Sequence, residues 1–280
     1  MTEIYGTFVG RWYVTVLGVV FVWRATRHLG WKKTALYVVV AVGVGALAEN
    51  GSVHLGIPYT RYVFNPALRG KEIFIGDVPL MVPLSYTFLG YFGFAAGRMV
   101  ASGPYWTRAR RVWQEYLLGV VLGVWALWLM DPVSRLGNRW FLGDVFHYRG
   151  GGFWFGLPLG SQAGFTLTAA VLVGVLTWFC RGEERRPVAR VRDHPDLVSL
   201  LTYCGEIVWL TIVALVLGAD EIGGSSLVIW VPVVALVAVS WSNQEPPQPA
   251  EGSGAVAHRE DEEVLSVAGA AAVNGHAETQ

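Results

Sequence analysis

Four acidic residues interrupt or border apolar sequence in this chain: Glu49, Asp77, Asp131 and Glu206. Glu49 closes one apolar run after Ala46-Leu47-Ala48, Asp131 closes another, Asp77 opens a third and Glu206 lies inside a fourth. Ionisable groups at membrane depth are costly and mark functional sites. A carboxyl in apolar surroundings favours its neutral form and can therefore act as an acid near neutral pH. The stretches after Glu49 and Asp131 are crowded with Tyr59, Tyr62, Phe64, Trp140, Phe146, Tyr148, Phe153, Trp154 and Phe155. Each ring face stabilises a nearby cation by roughly 0.5 to 2 kcal/mol. A protonatable acid beside such rings suits the protonation of an isoprenoid alkene to a tertiary carbocation. About half of these rings are expected to form the usual interfacial belt instead. Asp77 is as readily the anchor of a helix end as a chemical group.

Seven apolar runs approach the roughly 20 residues that cross a bilayer. They are Val9 to Thr26, Lys33 to Glu49, Val78 to Val100, Val112 to Met130, Ala163 to Cys180, Leu197 to Gly218 and Leu227 to Trp241. The composition agrees, with 53% hydrophobic and 15% charged residues and a mean hydropathy of +0.43. The fold class is therefore an all-α, polytopic membrane bundle of about seven transmembrane helices over residues 1–242, followed by a polar tail, 243–280, expected to be disordered. The N-terminus lacks the basic start and cleavage site of a secretory signal, so the first run is expected to stay as a span. Alternate loops carry thirteen Lys and Arg against seven. By the positive-inside rule this places the N-terminus outside and the C-terminus in the cytoplasm of a multi-pass protein of the cell membrane. The two long aromatic loops, Gly51 to Gly76 and Pro132 to Gln162, then share the outer side and are expected to fold back over the bundle as functional segments. A loose repeat relates them: an acid (Glu49, Asp131), an aromatic loop, then Gly56-Ile57-Pro58 or Gly156-Leu157-Pro158.

Several chemistries are excluded. A formal net charge of zero with no basic face argues against nucleic acid. A retinal Schiff base needs a lysine in the last span, yet the lysines are Lys32, Lys33 and Lys71. No acidic pair has the spacing that holds a diphosphate through Mg²⁺. His28, His54, His147 and His194 lack the paired spacing of metal ligands, so no metal is expected. Cys180 and Cys204 both fall on the side assigned to the cytoplasm, which speaks against a disulfide.

The order Ala48-Glu49, Gly56-Ile57-Pro58-Tyr59, Tyr62, Val78-Pro79-Leu80 and Val82-Pro83-Leu84, then Asp131-Pro132, Trp140, Tyr148 and Phe155-Gly156-Leu157-Pro158-Leu159, resembles the carotenoid biosynthesis protein family, which includes membrane-bound carotenoid hydratases. The resemblance covers about Ala48 to Phe165. It implies an integral-membrane hydro-lyase that adds water to the terminal double bond of an acyclic carotenoid, needs no cofactor and takes its hydrophobic substrate from the membrane lipid. On this reading Glu49 and Asp131 are the catalytic acid/base pair, and Tyr59, Tyr62, Asp77, Tyr86, Trp140, Tyr148 and Phe155 bind substrate. The sequence departs from the family pattern where Ser161 stands for an Asn, Gly164-Phe165 for Gly-Trp, and Ser85-Tyr86 follows Pro83-Leu84 in place of a Trp. Those changes keep open a shorter terpene and an alternative activity, a cofactor-independent membrane terpene cyclase started by the same protonation. A second alternative is a non-catalytic lipid-binding or transport protein, for which Glu206, inside its span, is the relevant residue.

Overall fold

The computed structural model describes residues 2–102, 111–139, 143–183 and 191–242. The tail expected to be disordered lies outside them, as does Trp140. Eight helices are present among these residues: α1 (Thr2–Phe8), α2 (Trp12–Leu29), α3 (Trp31–Leu55), α4 (Met81–Ala101), α5 (Arg111–Ser134), α6 (Leu159–Phe179), α7 (Leu197–Val216) and α8 (Asp220–Ser242). Every expected apolar run coincides with one of the helices from α2 to α8. Five of them, α3 and α5 to α8, are long and apolar enough to cross a membrane, or six spans if α1 and α2, bent by 68°, are taken as one. The molecule is an all-α bundle of membrane type.

α4, 21 residues long, is not among those five, and its position explains how it carries polar side chains. It touches α2, α3, α5, α6, α7 and α8, and 17 of its residues are buried, Tyr86, Thr87 and Tyr91 among them. Protein rather than lipid surrounds it, so polar side chains are tolerated along its length. The contact with α5 rests on glycine against glycine. A Cβ on Gly93 would lie 2.7 Å from Gly123 Cα, and one on Gly97 would lie 2.4 Å from Gly119 N. Both helices carry their pair four residues apart, the small-residue spacing that lets membrane helices approach closely.

Two helices continue past the acids that the sequence reading made their ends. α3 runs six residues beyond Glu49, through Asn50 to Leu55. The polar residues there are satisfied inside the helix: Asn50 Nδ2 donates to Ala46 O at 2.8 Å and Ser52 Oγ donates to Ala48 O at 2.7 Å. α5 continues through Pro132 to Ser134. Proline has no N–H and leaves the carbonyl four residues back without its helical partner. That carbonyl, Trp128 O, accepts instead from Trp154 Nε1 at 2.8 Å. At 1.5 Å per residue, Glu49 sits roughly 9 Å and Asp131 about 4.5 Å before its helix end.

The two long loops are not irregular throughout. The first carries β1 (Tyr62–Phe64) and β2 (Phe74–Ile75), the second carries β4 (Phe146–Tyr148), and β3 (Val78–Pro79) takes the first residues of the apolar run expected to begin at Val78. β2 and β3 form a small antiparallel ladder. β1 pairs antiparallel with β4, with Tyr62 opposite Tyr148, Val63 opposite His147 and Phe64 opposite Phe146. This ladder joins the loops at the bundle end where α3 and α5 finish and α4 and α6 begin.

Candidate active site

Glu49 is placed by the buried stripe of α3: Thr34, Tyr37, Ala41, Gly45, Ala48, Glu49 and Ser52. Steps of three and four residues keep these on one face. Gly45, one turn before Glu49, has no side chain, and the Tyr86 ring of α4 occupies the space; a Cβ on Gly45 would come within 2.9 Å of it. The Tyr86 hydroxyl then reaches Glu49 Oε1 at 2.5 Å and lies 2.8 Å from the Tyr59 hydroxyl. Tyr59 OH is in turn 2.9 Å from Thr168 Oγ1. Each hydroxyl has one hydrogen. While Tyr86 donates to Glu49 it must accept from Tyr59, so the chain is polarised toward the carboxyl. Burial first, and then the charge of Glu49, hold the Tyr59 phenol above its ordinary value, which keeps it a neutral donor.

Tyr59 itself is fixed by two contacts. Its backbone N–H donates to Ser52 Oγ at 3.0 Å, and its ring packs against Phe165 with centroids 4.5 Å apart. Gly164 makes room for it, since a Cβ there would be 2.5 Å from the ring.

Glu49 and Asp131 line one cavity of about 410 Å³. Both are buried, at 5% and 7% exposure, and Asp131 is close enough for its charge to act on Glu49. Successive strand residues face opposite sides. Tyr62 and Phe64 of β1 and Phe146 and Tyr148 of β4 accordingly share a face, and all four line the cavity. Their centroids are 5.4 Å apart for Tyr62 and Tyr148, and 6.3 Å for Phe64 and Phe146. Phe88, Phe165 and Met130 add to the wall. Tyr148 is also held above its ordinary value, by burial and then by Asp131. Arg135 lies near Asp131, but its Nη1 donates to Phe155 O at 2.8 Å and its guanidinium sits 5.8 Å from the Tyr148 ring centre. Asp131 Oδ2 is buried with no hydrogen-bond partner among the described residues. The arrangement can give a proton to, and take one from, an apolar molecule whose cationic form faces four aromatic rings.

The same cavity has a second polar end that the sequence did not reveal. Arg11 donates to Glu72 Oε1 from Nε at 3.1 Å and from Nη2 at 2.8 Å. Both residues are buried and line the cavity with Tyr13 and Glu206. A buried pair of this kind needs such hydrogen bonds to offset its desolvation. A separation of 61 positions along the chain gives no local signal. Glu206, weighed for a transport role, therefore shares the chamber of Glu49 and Asp131.

Other expected site residues lie elsewhere. Asp77 is at the surface, in contact with Arg69 and 3.0 Å from His54 Nε2. Its place in the turn between β2 and β3 and its own N–H bond to Asn50 Oδ1 at 3.0 Å make it an organiser of the loop. Phe155 offers its carbonyl to Arg135 and is not part of the cavity wall. Tyr59 stands behind Tyr86 rather than on the wall. Phe153, among the candidate rings, is 61% exposed.

At the opposite end of the bundle, His28, Cys180 and Glu183 bring one possible metal-ligand atom each within 4.8 Å of one another. His28 lacks the paired spacing of metal ligands in the sequence, and the fold brings Cys180, 152 positions away, to 3.9 Å from its Nε2. Arg98 Nη1 lies 2.7 Å from His28 Nε2 and 3.0 Å from Glu183 Oε2, and its Nε lies 3.2 Å from Asp196 Oδ2. A fixed guanidinium thus occupies the place of an ion, and the cluster acts as a polar clamp joining the ends of α2, α4, α6 and α7. Burial pushes the Glu183 carboxyl up, but the hydrogen bond and charge of His28 and the charge of Arg98 outweigh it and hold the group at about 2.

The assembled site, two acids and an aromatic ladder contributed by both long loops, spans the region where the sequence motifs lie. No curated protein and no solved structure matches the chain. A family model described as "Carotenoid biosynthesis protein" matches residues 10–237, which takes in every described helix from α2 to α7 and the whole cavity wall. The chain belongs to the carotenoid biosynthesis protein family.

Proposed function

We propose that the protein hydrates the terminal double bond of an acyclic carotenoid within the membrane. The observation that carries this reading is the sharing of one apolar cavity by Glu49, Asp131 and the four rings of the β1–β4 ladder. Two carboxyls so placed favour holding one proton between them. Tyr86 occupies Glu49 Oε1, which leaves Oε2 to carry the proton. Transfer of that proton to the less substituted alkene carbon forms a C–H bond and leaves a tertiary cation on its neighbour, facing the rings. A water molecule on the free oxygen of Asp131 adds its lone pair to the cation as Asp131 accepts a water proton. Return of a proton to Glu49 closes the cycle, and the net change is one water added.

Cyclisation shares the first step. A second double bond of a folded chain then attacks the cation, and loss of a proton to Asp131 gives an isomer of the substrate. Expression in a host that makes lycopene-type carotenoids, followed by mass analysis, separates the two: hydration gives a product heavier by one water, and cyclisation gives an unchanged mass. Full activity in both Glu49→Gln and Asp131→Asn would refute the shared acid mechanism.

A further inference from the structure

We infer that the isoprenoid enters and leaves the cavity sideways from the bilayer, through an opening between α2 and α7 beside Gly205. The inference rests on the cavity being the isoprenoid site and adds the route to it.

Most cavity-lining residues are enclosed, but those on one seam both line the cavity and reach the surface. They are Trp12 and Val16 on α2 and Gly205 and Trp209 on α7. Trp12, Val16 and Trp209 are 48%, 52% and 41% exposed. A residue that faces the cavity and the exterior together marks an opening between them. The seam is held at two points. Trp12 and Trp209 meet edge to face, with centroids 6.3 Å apart, and toward the other end of α2, Arg24 donates to Pro195 O just before α7. Between these points stands Gly205, where an added Cβ would meet nothing within 4 Å. Glycine inside a helix costs up to about 1 kcal/mol relative to alanine, and here it leaves a gap.

The exterior at this seam is lipid. Val19 and Val22 of α2 and Leu201, Val208 and Ile212 of α7 are all exposed and apolar. The occupant that fits is a linear isoprenoid chain dissolved in that lipid. Ligand cavities commonly measure about 300 to 1,000 Å³, and one of 410 Å³ lies near the lower limit. A side opening lets a long molecule place only its end group between Glu49 and Asp131 while the rest of the chain stays in the bilayer. Entry from the loop end would instead require passage through the β1–β4 ladder.

The test uses the full chain in lipid vesicles. Gly205→Phe fills the gap, and Val171→Phe, exposed on α6 and not on the cavity wall, is the control. Conversion of a membrane-dissolved acyclic carotenoid is expected to fall at least tenfold in Gly205→Phe and to stay at the wild-type rate in Val171→Phe. Equal rates in Gly205→Phe and wild type would overturn the inference. A readout without turnover separates its failure from failure of the proposed reaction. A bimane label on Gly205→Cys, in a chain with Cys180→Ala and Cys204→Ala, is expected to be quenched by lycopene-type polyene at least twofold more than the same label on Val171→Cys. Equal quenching at both positions would exclude the opening, whether or not any isoprenoid is converted.

Discussion

Tyr86→Phe tests the part of the site that the fold constructs with most care. The substitution keeps the ring that fills the space over Gly45 and removes only the hydroxyl. Two contacts go with it, 2.5 Å to Glu49 and 2.8 Å to Tyr59. A hydrogen bond to a charged group contributes roughly 1.5 to 3 kcal/mol. On the proposed mechanism the bond to Glu49 gains that character as the proton leaves the carboxyl, so its loss would fall on the transition state. With about 1.4 kcal/mol per factor of ten, the rate should drop by roughly ten- to a hundredfold. Tyr59→Phe, one link further away, should cost less. The assay is product formation per unit of folded protein in vesicles, with helical circular dichroism as the check on folding. A Tyr86→Phe rate within twofold of wild type, beside an inactive Glu49→Gln, would refute the relay and leave Tyr86 as packing alone.

Three further outcomes follow from the geometry. Gly45→Val drives a side chain into the Tyr86 ring and should destabilise the protein by about 1 to 3 kcal/mol, read as a lower Tm together with lost activity. Trp154→Phe leaves Trp128 O without its donor beside Pro132, at a cost of roughly 1 to 3 kcal/mol; activity should fall with stability because Asp131 precedes that proline, and an unchanged Tm would contradict the repair described above. The Glu183 carboxyl is held below its ordinary value, at about 2 rather than 4.5. Its contribution is therefore fully present above about pH 4.5 and lost as pH falls toward 2. Thermal stability should fall over that window in the wild type and fall less in Glu183→Gln.

The apolar runs were legible because a segment of that length has few ways to satisfy its backbone in lipid other than as a helix. The position of Glu49 and Asp131 at the ends of two such runs, each followed by aromatics, also pointed to one chamber, and the structure brings them together there. Gly56 and Gly156, the glycines of the loose repeat, both adopt positive φ, 79° and 80°. What escaped the sequence was non-local. Asn50 and Ser52 read as loop residues, yet they bond back onto the helix that carries them. Pro132 read as a helix stop, because the donor that replaces its missing N–H comes from Trp154 in the next loop. Arg11 with Glu72, and His28 with Cys180, are joined only by the packing of distant helices. Asp77 had the same local signature as the cavity acids; its partners Arg69 and His54 show that it belongs to the surface.

The most direct measurement is turnover in D₂O with the position of deuterium in the product determined by NMR. Proton-initiated chemistry predicts one non-exchangeable deuterium, on the carbon next to the former cationic centre, in wild type and none above background in Glu49→Gln. A product that carries no carbon-bound deuterium would contradict alkene protonation by this site, whichever group later quenches the cation.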